Sequence, residues 1–243
     1  MRAMVLAAGL GTRLRPLTDD RPKALVEAGG RTLLQITLAR LRQFGVREVI
    51  VNLHHFADMV VDYLRKNHHF GMRIELSRED DLLLDTGGGL KKAAWFFLER
   101  PDEPFLVHNV DVISDIDLAR LAEEHRRRAA LATLAVQQRQ SSRYLLFDRD
   151  SLLCGRHSGD LAPEMARPCP QPQALAFCGI HVISPRIFSL MSEQGAFPIV
   201  PCYLRLAAQG EGIAGFRADQ HRWRDLGRPG DLRQAAEDLK DLR

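Results

Sequence analysis

The segment VLAAGLGTRLRPLTDDRPKALV, residues 5–26, combines residue types that bind phosphate. Gly9 and Gly11 lack a Cβ, so the backbone there can approach an anion closely with its N–H groups. Arg13 supplies a planar fork of donors that suits phosphate oxygens, and Lys23 supplies a compact positive charge. A pair of glycines alone is a common turn, but glycines followed by these two cations predict a phosphate-binding loop.

Two well-known phosphate-binding loops do not fit this segment. A dinucleotide fingerprint, G-x-G-x-x-G, needs a third glycine, and Leu14 stands in its place. The G-x-x-x-x-G-K-[ST] loop occurs nowhere in the chain. The Thr12 hydroxyl and the stiffening prolines Pro16 and Pro22 therefore belong to a loop of a third kind.

Residues 1–130 alternate buried strands with amphipathic helices. The runs AMVLAA, EVIVNL, MRIELS and PFLVHN have the apolar character of buried strands, and helical segments separate them. The first helix should bury Leu34, Leu38, Leu41 and Phe44, the second should bury Met59, Val60, Tyr63 and Leu64, and a third should begin just after the glycine cluster GGG. This order predicts an α/β fold with a mostly parallel sheet and helices on both faces. The phosphate loop follows the first strand, at the edge where such sheets bind ligands.

Residues 131–243 have a more mixed pattern. Runs such as LATLAVQQR and ALAFCGIHVIS predict strands, whereas PRIFSLMSEQG, IVPCYLRLAAQG and the terminal DLRQAAEDLKDL predict helices. Residues 159–173 are rich in proline and polar residues, which predicts a loop or a lid. We expect a single domain over residues 1–243.

The composition excludes several classes of protein. The 34 basic and 31 acidic residues give a net charge of +3, which is too even for a nucleic-acid-binding surface. No run approaches the ~18 apolar residues of a membrane span, and AMVLAA ends in the glycine loop rather than at a signal-peptide cleavage site. We expect a cytoplasmic protein that binds neither nucleic acid nor membrane, as a monomer or small homo-oligomer.

Residues 5–26 resemble the signature of the sugar-1-phosphate nucleotidyltransferases, also called nucleotide-sugar pyrophosphorylases. That signature is L-A-A-G-x-G-T-R-L-x-P-x-T, followed by a P-K pair. The matching positions are Leu6, Ala7, Ala8, Gly9, Gly11, Thr12, Arg13, Leu14, Pro16, Thr18, Pro22 and Lys23. The resemblance implies a Rossmann-like domain of the nucleotide-diphospho-sugar transferase type. Residues 1–130 would form its nucleotide-binding half, and residues 131–243 its sugar-phosphate-binding half.

The resemblance also implies two aspartates that hold Mg²⁺. The family's N-[GA]-D triplet corresponds to Asn109, Val110 and Asp111, with valine in place of a small residue. Its W-x-D-x-G-[TR]-P pattern corresponds to WRDLGRP, which contains Asp225. Mg²⁺ prefers oxygen ligands, so we expect Asp111 and Asp225 to meet at one site. For either aspartate alone, a strand-end cap or a turn is the alternative role.

The segment LLLDTGGGLKK resembles the L-E-T-G-G-G segment of the N-acetylmuramate-1-phosphate uridylyltransferases of this family, with Asp85 in place of glutamate. The resemblance implies that Thr86 and Gly87 contact the nucleotide and that Glu79 reads the base. A carboxylate accepts from uracil N3–H and equally from guanine N1–H and N2–H, so the base stays open. The alternative is an ordinary helix start with Thr86 as its N-cap.

These matches assign the expected roles. Arg13 and Lys23 are the expected catalytic residues. The expected nucleotide-binding residues are Leu6, Ala8, Gly9, Gly11, Thr12, Arg13, Glu79, Thr86, Gly87 and Asn109. The expected sugar-phosphate-binding residues are Gly179, Asp111 and Lys23, with Gly179 taken from ALAFCGIHVISPRIF, which resembles the family's sugar-side strand. The E-K-P segment of many relatives is missing, which leaves the sugar open.

The resemblance implies Mg²⁺-dependent transfer of a nucleotidyl group from a nucleoside triphosphate to a sugar 1-phosphate, with release of pyrophosphate. UTP and an amino-sugar or hexose 1-phosphate are the expected substrates. The alternatives are guanylyl transfer to mannose or heptose 1-phosphate, cytidylyl transfer to a phospho-alcohol, and a non-catalytic regulatory subunit that binds nucleotide sugars. Such a subunit should lack Arg13, Lys23 or an aspartate, and because all are present the sequence favours an enzyme.

Overall fold

The computed structural model describes residues 1–159 and 161–241. Asp160, in the predicted loop 159–173, and residues 242–243, at the end of the predicted domain and terminal helix, lie outside the described residues. The strands are β1 (Ala3–Leu6), β2 (Glu27–Ala28), β3 (Arg31–Thr32), β4 (Glu48–Leu53), β5 (Arg73–Arg78), β6 (Phe105–Asn109), β7 (Val112–Ser114), β8 (Ala132–Gln137), β9 (Arg143–Phe147), β10 (Leu153–Ser158), β11 (Glu164–Met165), β12 (Gln173–Ile183), β13 (Ile213–Arg217) and β14 (Trp223–Asp225). The helices are α1 (Leu33–Gln43), α2 (Ala57–Lys66), α3 (Asp85–Lys92), α4 (Ala94–Leu98), α5 (Leu118–Arg128), α6 (Ile187–Leu190), α7 (Ile199–Ala208) and α8 (Pro229–Asp241).

The main sheet has the order β11-β10-β9-β12-β6-β1-β4-β5, and β8 joins β12 to β13. β1 lies between β4 and β6, parallel to both, and β4 pairs in parallel with β5. β12 runs antiparallel to β6, β8 and β9. The predicted α/β fold is therefore confirmed, with parallel strands in the first half of the chain and mixed pairing in the second. The carboxyl ends of β1, β4 and β6 meet at one edge of the sheet.

Apolar side chains are buried on both faces of the sheet. In β1, Ala3 and Val5 belong to the cluster that contains α1 and α2, and Met4 belongs to the cluster on the opposite face, with α4 and α7. A parallel strand covered on both faces needs apolar residues at successive positions, which explains the uninterrupted sequence AMVL.

Helices α1 and α2 cover one face of this sheet. α1 begins after Thr32, whose hydroxyl accepts a hydrogen bond from the Gln35 N–H at 3.1 Å. In α2 the predicted inward residues Val60 and Leu64 are buried, but Met59 is 40% exposed. The prediction for Met59 was wrong because it lies one position before Val60, about 100° around the helix axis, and therefore outside the buried stripe.

The glycine cluster lies inside α3, whereas the sequence predicted that the helix would begin after it. The N–H groups of Gly87 and Gly88 both donate to the carbonyl of Phe197, at 2.9 and 3.1 Å. A Cβ on Gly88 would lie 2.4 Å from the carbonyl oxygen of Gly195, and one on Gly89 would lie 2.7 Å from Oε1 of Glu79. The glycines thus allow α3 to pack against the segment of residues 195–199.

Thr86 has a different capping role from the one predicted. It lies within α3, and its hydroxyl accepts a hydrogen bond from the N–H of Ile199, the first residue of α7, at 2.9 Å. It therefore satisfies an amide at the start of α7 rather than the start of its own helix. Helix α3 is thus joined to the start of α7 and the segment before it by the Thr86 side chain as well as by the backbone bonds to Phe197.

The remaining predicted segments agree in part. The run PRIFSLMSEQG is helical only over Ile187–Leu190, and the predicted loop 159–173 contains the short strand β11 at Glu164–Met165. None of the helices in the described part of the chain has the length and apolar character needed to cross a bilayer.

We expect Gly88→Ala to lower the free energy of unfolding by about 1–3 kcal/mol, because the new Cβ forces the backbone of residue 195 away. The clash should outweigh the higher helix propensity of alanine, about 1 kcal/mol. Urea unfolding measures the difference. In the control Gly212→Ala the nearest atom to the new Cβ is 3.8 Å away, and the effect should stay within about 0.5 kcal/mol. Equal stability of the two variants would contradict the packing role of Gly88.

Candidate active site

Two adjoining cavities open at the carboxyl edge of the sheet, with volumes of about 980 and 470 Å³. Both are lined by Leu6, Asp85, Thr86 and Asn109. The smaller is also lined by Ala8, Gly9, Lys23, Asn52 and Asp111, and the larger by Arg13, Gly179, Trp223 and Asp225. Two ligands could therefore lie side by side and meet where the same four residues line both cavities.

The two glycines of the phosphate loop have different surroundings. Gly11 adopts a left-handed conformation, with φ +66°, and its carbonyl accepts from the Thr18 hydroxyl at 2.9 Å. A Cβ at Gly11 would lie 2.9 Å from Cγ2 of Thr18, so only glycine fits this turn. Gly9 is exposed and lines the smaller cavity, and a Cβ at this position would meet no other atom within 4 Å. Thr12 is exposed, and neither it nor Gly11 lines a cavity.

Lys23 brings the end of this loop to the carboxyl end of β6. It begins a short 3₁₀ turn, Lys23–Leu25, after Pro22, and is largely buried. Its ammonium group forms an ion pair and a hydrogen bond with Oδ2 of Asp111. The pairing holds a cation and a carboxylate together on the wall of the smaller cavity.

Asp225 reaches the same place from the other end of the chain. β14 pairs antiparallel with β7, and Asp225 lies opposite Val112, the residue after Asp111. The N–H of Leu226 donates to the carbonyl of Asp111 at 2.7 Å, and the N–H of Gly227 donates to Oδ1 of Asp225 at 2.6 Å. The fold therefore places the backbone of Asp225 beside the segment that contains Asp111.

Electrostatic effects at Asp225 reflect this proximity. Burial and then the charge of Asp111 raise the pKa of Asp225 above its ordinary value, while the Gly227 N–H, Lys23 and Arg13 act in the opposite direction. The carboxylates of Asp111 and Asp225 and the cations Lys23 and Arg13 thus interact electrostatically at the edge where the cavities adjoin.

Arg13 extends from the phosphate loop toward this group. Its guanidinium lies against Gly227, where a Cβ would be 2.7 Å from Nη2 of Arg13 and 2.6 Å from Oδ1 of Asp225. Gly227 therefore leaves the space in which Arg13 and Asp225 approach each other. The structure brings together Arg13, Lys23, Asp111 and Asp225, which the sequence places far apart.

Glu79, which the resemblance implied would read the base, lies behind the cavity wall. Its side chain is 1% exposed and lines neither cavity. Oε1 accepts from Nδ2 of Asn52 at 2.8 Å, and Oε2 accepts from the Leu84 N–H at 2.8 Å. Asn52 in turn accepts from the Ala7 N–H at 2.7 Å. Glu79 therefore positions the start of the phosphate loop and the residue that precedes α3.

Gly179 lies on the floor of the larger cavity, next to Asn109. It has a φ of +70°, and a Cβ there would lie 2.7 Å from Nδ2 of Asn109. The indole N–H of Trp223 donates to the neighbouring carbonyl of Cys178 at 2.8 Å. The glycine thus permits close packing between β12 and the end of β6.

Asp85 and Arg139 are residues of these walls to which the sequence assigned no role. Asp85 lines both cavities with a positive φ of +59°, and its Oδ1 accepts from the Thr86 N–H at 2.6 Å. Arg139 follows β8 and its guanidinium carbon lies 3.7 Å from the centre of the Trp223 ring. A charged residue at the end of the predicted strand LATLAVQQR was the available signal for Arg139, but its stacking on Trp223 depends on the tertiary fold.

Comparisons with known proteins agree with this arrangement. Residues 2–241 match the model of a protein family described as Nucleotidyl transferase. The chain is 35% identical over 239 residues to an N-acetylmuramate alpha-1-phosphate uridylyltransferase of Caulobacter vibrioides, and the match covers 93% of this chain and 92% of that protein. It is 29% identical over 252 residues to a UTP–glucose-1-phosphate uridylyltransferase of Synechocystis, covering 97% of this chain but 62% of that protein.

Solved structures share the fold. The crystal structure of HddC from Yersinia pseudotuberculosis complexed with GMP-PN has a TM-score of 0.77 and 22% sequence identity, and the match covers 98% of this chain and 99% of that one. At this identity the likeness concerns the architecture, which agrees with the predicted nucleotide-diphospho-sugar transferase type.

We expect Asp225→Asn to raise the melting temperature at neutral pH by about 2–4 °C. Because burial and Asp111 raise the pKa of Asp225, its ionised form destabilises the folded protein above that pKa. The penalty disappears as the pH falls and the carboxyl becomes protonated, so the gain should shrink in acid. Asparagine can still accept from the Gly227 N–H. Calorimetry in the presence of a chelator measures the difference, and a lower melting temperature at neutral pH would contradict this interpretation.

Proposed function

Because the chain belongs to the nucleotidyl transferase family, we propose that it transfers a uridylyl group from UTP to an amino-sugar or hexose 1-phosphate, in a Mg²⁺-dependent reaction that releases pyrophosphate. The observation that carries the proposal is the convergence of Arg13, Lys23, Asp111 and Asp225 where two cavities adjoin. The smaller cavity would receive the nucleotide, and the larger would receive the sugar phosphate.

The donor set suits Mg²⁺. Asp111 and Asp225 lie on adjoining backbone segments, and within the described ranges no cluster of three His, Cys, Asp or Glu residues completes a metal site. Mg²⁺ is commonly held by one or two carboxylates together with substrate phosphates, so two aspartates are an appropriate protein contribution. When bound there, Mg²⁺ would neutralise phosphate charge and orient the reacting groups.

The reaction requires charge neutralisation and orientation rather than a general base. The second pKa of a phosphate monoester is about 6, so the sugar phosphate is already ionised at neutral pH. Its oxygen attacks the α-phosphorus, the bond to the β-phosphate breaks, and pyrophosphate leaves on the opposite side. Lys23 would stabilise negative charge at the α-phosphate and the incoming phosphate, and Arg13 would hold the β- and γ-phosphates.

The remaining loop residues would bind the nucleotide through the backbone. Leu6, Ala8 and Gly9 line the smaller cavity with Asn109, and Gly9 leaves room for close approach. Glu79 would act on the base indirectly, through Asn52 and the backbone of Leu84. On the other side, Gly179 would border the sugar.

The choice of UTP is supported by the Caulobacter relative, which aligns over 92% of its length. A Yarrowia lipolytica relative named mannose-1-phosphate guanyltransferase is 29% identical, and the chain spans 62% of its length. Pyrophosphate release should therefore be measured with UTP, GTP, CTP and dTTP against a panel of sugar 1-phosphates. The highest kcat/KM with UTP is expected, and a preference for another triphosphate would reject the uridylyl assignment.

We expect Asp111→Asn to reduce Mg²⁺-dependent pyrophosphate release by about a thousandfold, because about 4 kcal/mol of transition-state stabilisation is lost with the metal ligand. The matched control is Asp62→Asn, which alters an exposed aspartate on α2. Steady-state kinetics over a range of Mg²⁺ concentrations measures both. Unchanged turnover in the Asp111 variant would remove Asp111 from the metal site.

A further inference from the structure

Arg139 is a half-buried arginine on the wall of the larger cavity. Its guanidinium lies over Trp223, with Cζ 3.7 Å from the ring centre, and Nη2 donates to the carbonyl of Phe177 at 3.0 Å. Nε is buried and has no hydrogen-bond partner. No ion pair joins this guanidinium to a carboxylate anywhere in residues 1–159 and 161–241.

Of the other partly buried arginines, Arg167 and Arg205 are neutralised, whereas Arg40 forms no ion pair within the described residues but lines neither cavity. Arg167 forms an ion pair with Asp148 at 2.6 Å, and Arg205 forms one with Glu193 at 2.7 Å. Burial of a charged group without a counter-ion is unfavourable. Burial lowers the pKa of the Arg139 guanidinium below its ordinary value, although Cys178 and the charge of Asp225 act in the opposite direction. A half-buried arginine that has no ion pair is suited to bind an anion that a ligand supplies.

The stacking on Trp223 holds Arg139 close to the reacting groups. Trp223 is fixed by its hydrogen bond to the carbonyl of Cys178 and by the pairing of β14 with β7. Trp223 and Asp225 are alternate residues of β14, so they lie on the same face about 7 Å apart. Arg139 therefore lies beside the backbone of Phe177, lines the same cavity as Gly179, and is near enough to Asp225 for the two charges to interact.

The whole larger cavity is rich in positive charge. Its lining includes Arg13, Arg139, Arg143, Arg224 and Arg228, as well as Arg156, which is neutralised by Glu164 at 2.6 Å. Its lining carboxylates are Asp85, Asp225 and Asp231. An excess of guanidinium groups favours an anionic occupant, and the planar fork of Arg139 suits two oxygens of one oxyanion.

We propose that Arg139 is a specificity-determining residue that binds an oxyanion of the acceptor substrate in the larger cavity. The identity of that acceptor as a sugar 1-phosphate rests on the proposed function. The oxyanion comes either from the 1-phosphate that all such acceptors share or from an acidic substituent of the sugar. Either source presents an oxyanion to Arg139. Titration with phosphate ligands and with a carboxylate sugar distinguishes the two sources.

Binding can be followed through Trp223. The chain has two tryptophans, and Trp95→Phe removes the exposed one on α4, so that Trp223 alone reports. Without metal or triphosphate, this protein is titrated with inorganic phosphate, glucose 1-phosphate, glucuronate and neutral glucose. We expect saturable fluorescence changes with anions, and Arg139→Gln should weaken the binding that causes them by about 10–100-fold.

Each outcome has a defined meaning. Weakened binding of both phosphate ligands assigns Arg139 to the 1-phosphate, and weakened binding of glucuronate alone assigns it to an acidic substituent. The proposal is overturned if Arg139→Gln leaves the affinities unchanged. It is also overturned if the Trp95→Phe protein, with Arg139 intact, gives no saturable response to any of the anions. Arg149→Gln, which alters an arginine with a 93% exposed side chain, is the matched control and should leave the affinities unchanged.

Kinetics and stability separate binding from a structural role. Arg139→Gln should raise KM for the acceptor about 10–100-fold and leave KM for the triphosphate unchanged. The melting temperature should change little, because relief of the buried charge offsets the lost contacts with Trp223 and the Phe177 carbonyl. Arg139→Lys should recover part of the affinity because it keeps the charge without the fork. A lower melting temperature with unchanged acceptor KM would overturn the proposal.

The proposed function has a separate test. If the unsubstituted protein releases no pyrophosphate, the proposed function is rejected, while the fluorescence titration still tests Arg139.

Discussion

The close approach of two like charges, Asp111 and Asp225, is the constraint on which the rest of the site depends. It is imposed by the backbone, through the pairing of β7 with β14 and the hydrogen bond from Leu226 to the Asp111 carbonyl. Like charges held together in a partly buried site repel each other, so the surrounding groups must compensate. Lys23 pairs with Asp111, and Arg13 lies against Gly227 beside Asp225. The site therefore combines two neighbouring carboxylates with the cations that keep them stable.

Much of this arrangement could be predicted from local sequence. The strand–loop pattern around Gly9 and Gly11 placed the phosphate loop at the carboxyl edge of β1, and the alternation of apolar and amphipathic runs gave the parallel half of the sheet. Asp111 and Asp225 were expected to meet because each matched a family pattern, although nothing local determines that β14 pairs with β7. That pairing depends on contacts across most of the chain.

The features that the sequence did not predict are those that depend on which partner a residue contacts in the folded protein. The glycines of α3 suggested close approach to a ligand, but they approach residues 195–197 and Glu79. Glu79 has the chemistry of a base reader, but its oxygens accept from Asn52 and Leu84. Composition and spacing identify a group that can bind or a backbone that can come close. Tertiary packing decides whether the partner is a substrate or the protein itself.

The attachment of residues 195–199 to α3 has a consequence for engineering the two cavities. Amides of α3 donate to Phe197, and the Thr86 hydroxyl accepts from Ile199, so the segments form one hydrogen-bonded unit that lines both cavities. A chimera that imports residues 80–90 from a relative would bring a helix whose partners remain behind in the host. Residues 80–90 and 195–199 therefore need to be transplanted together.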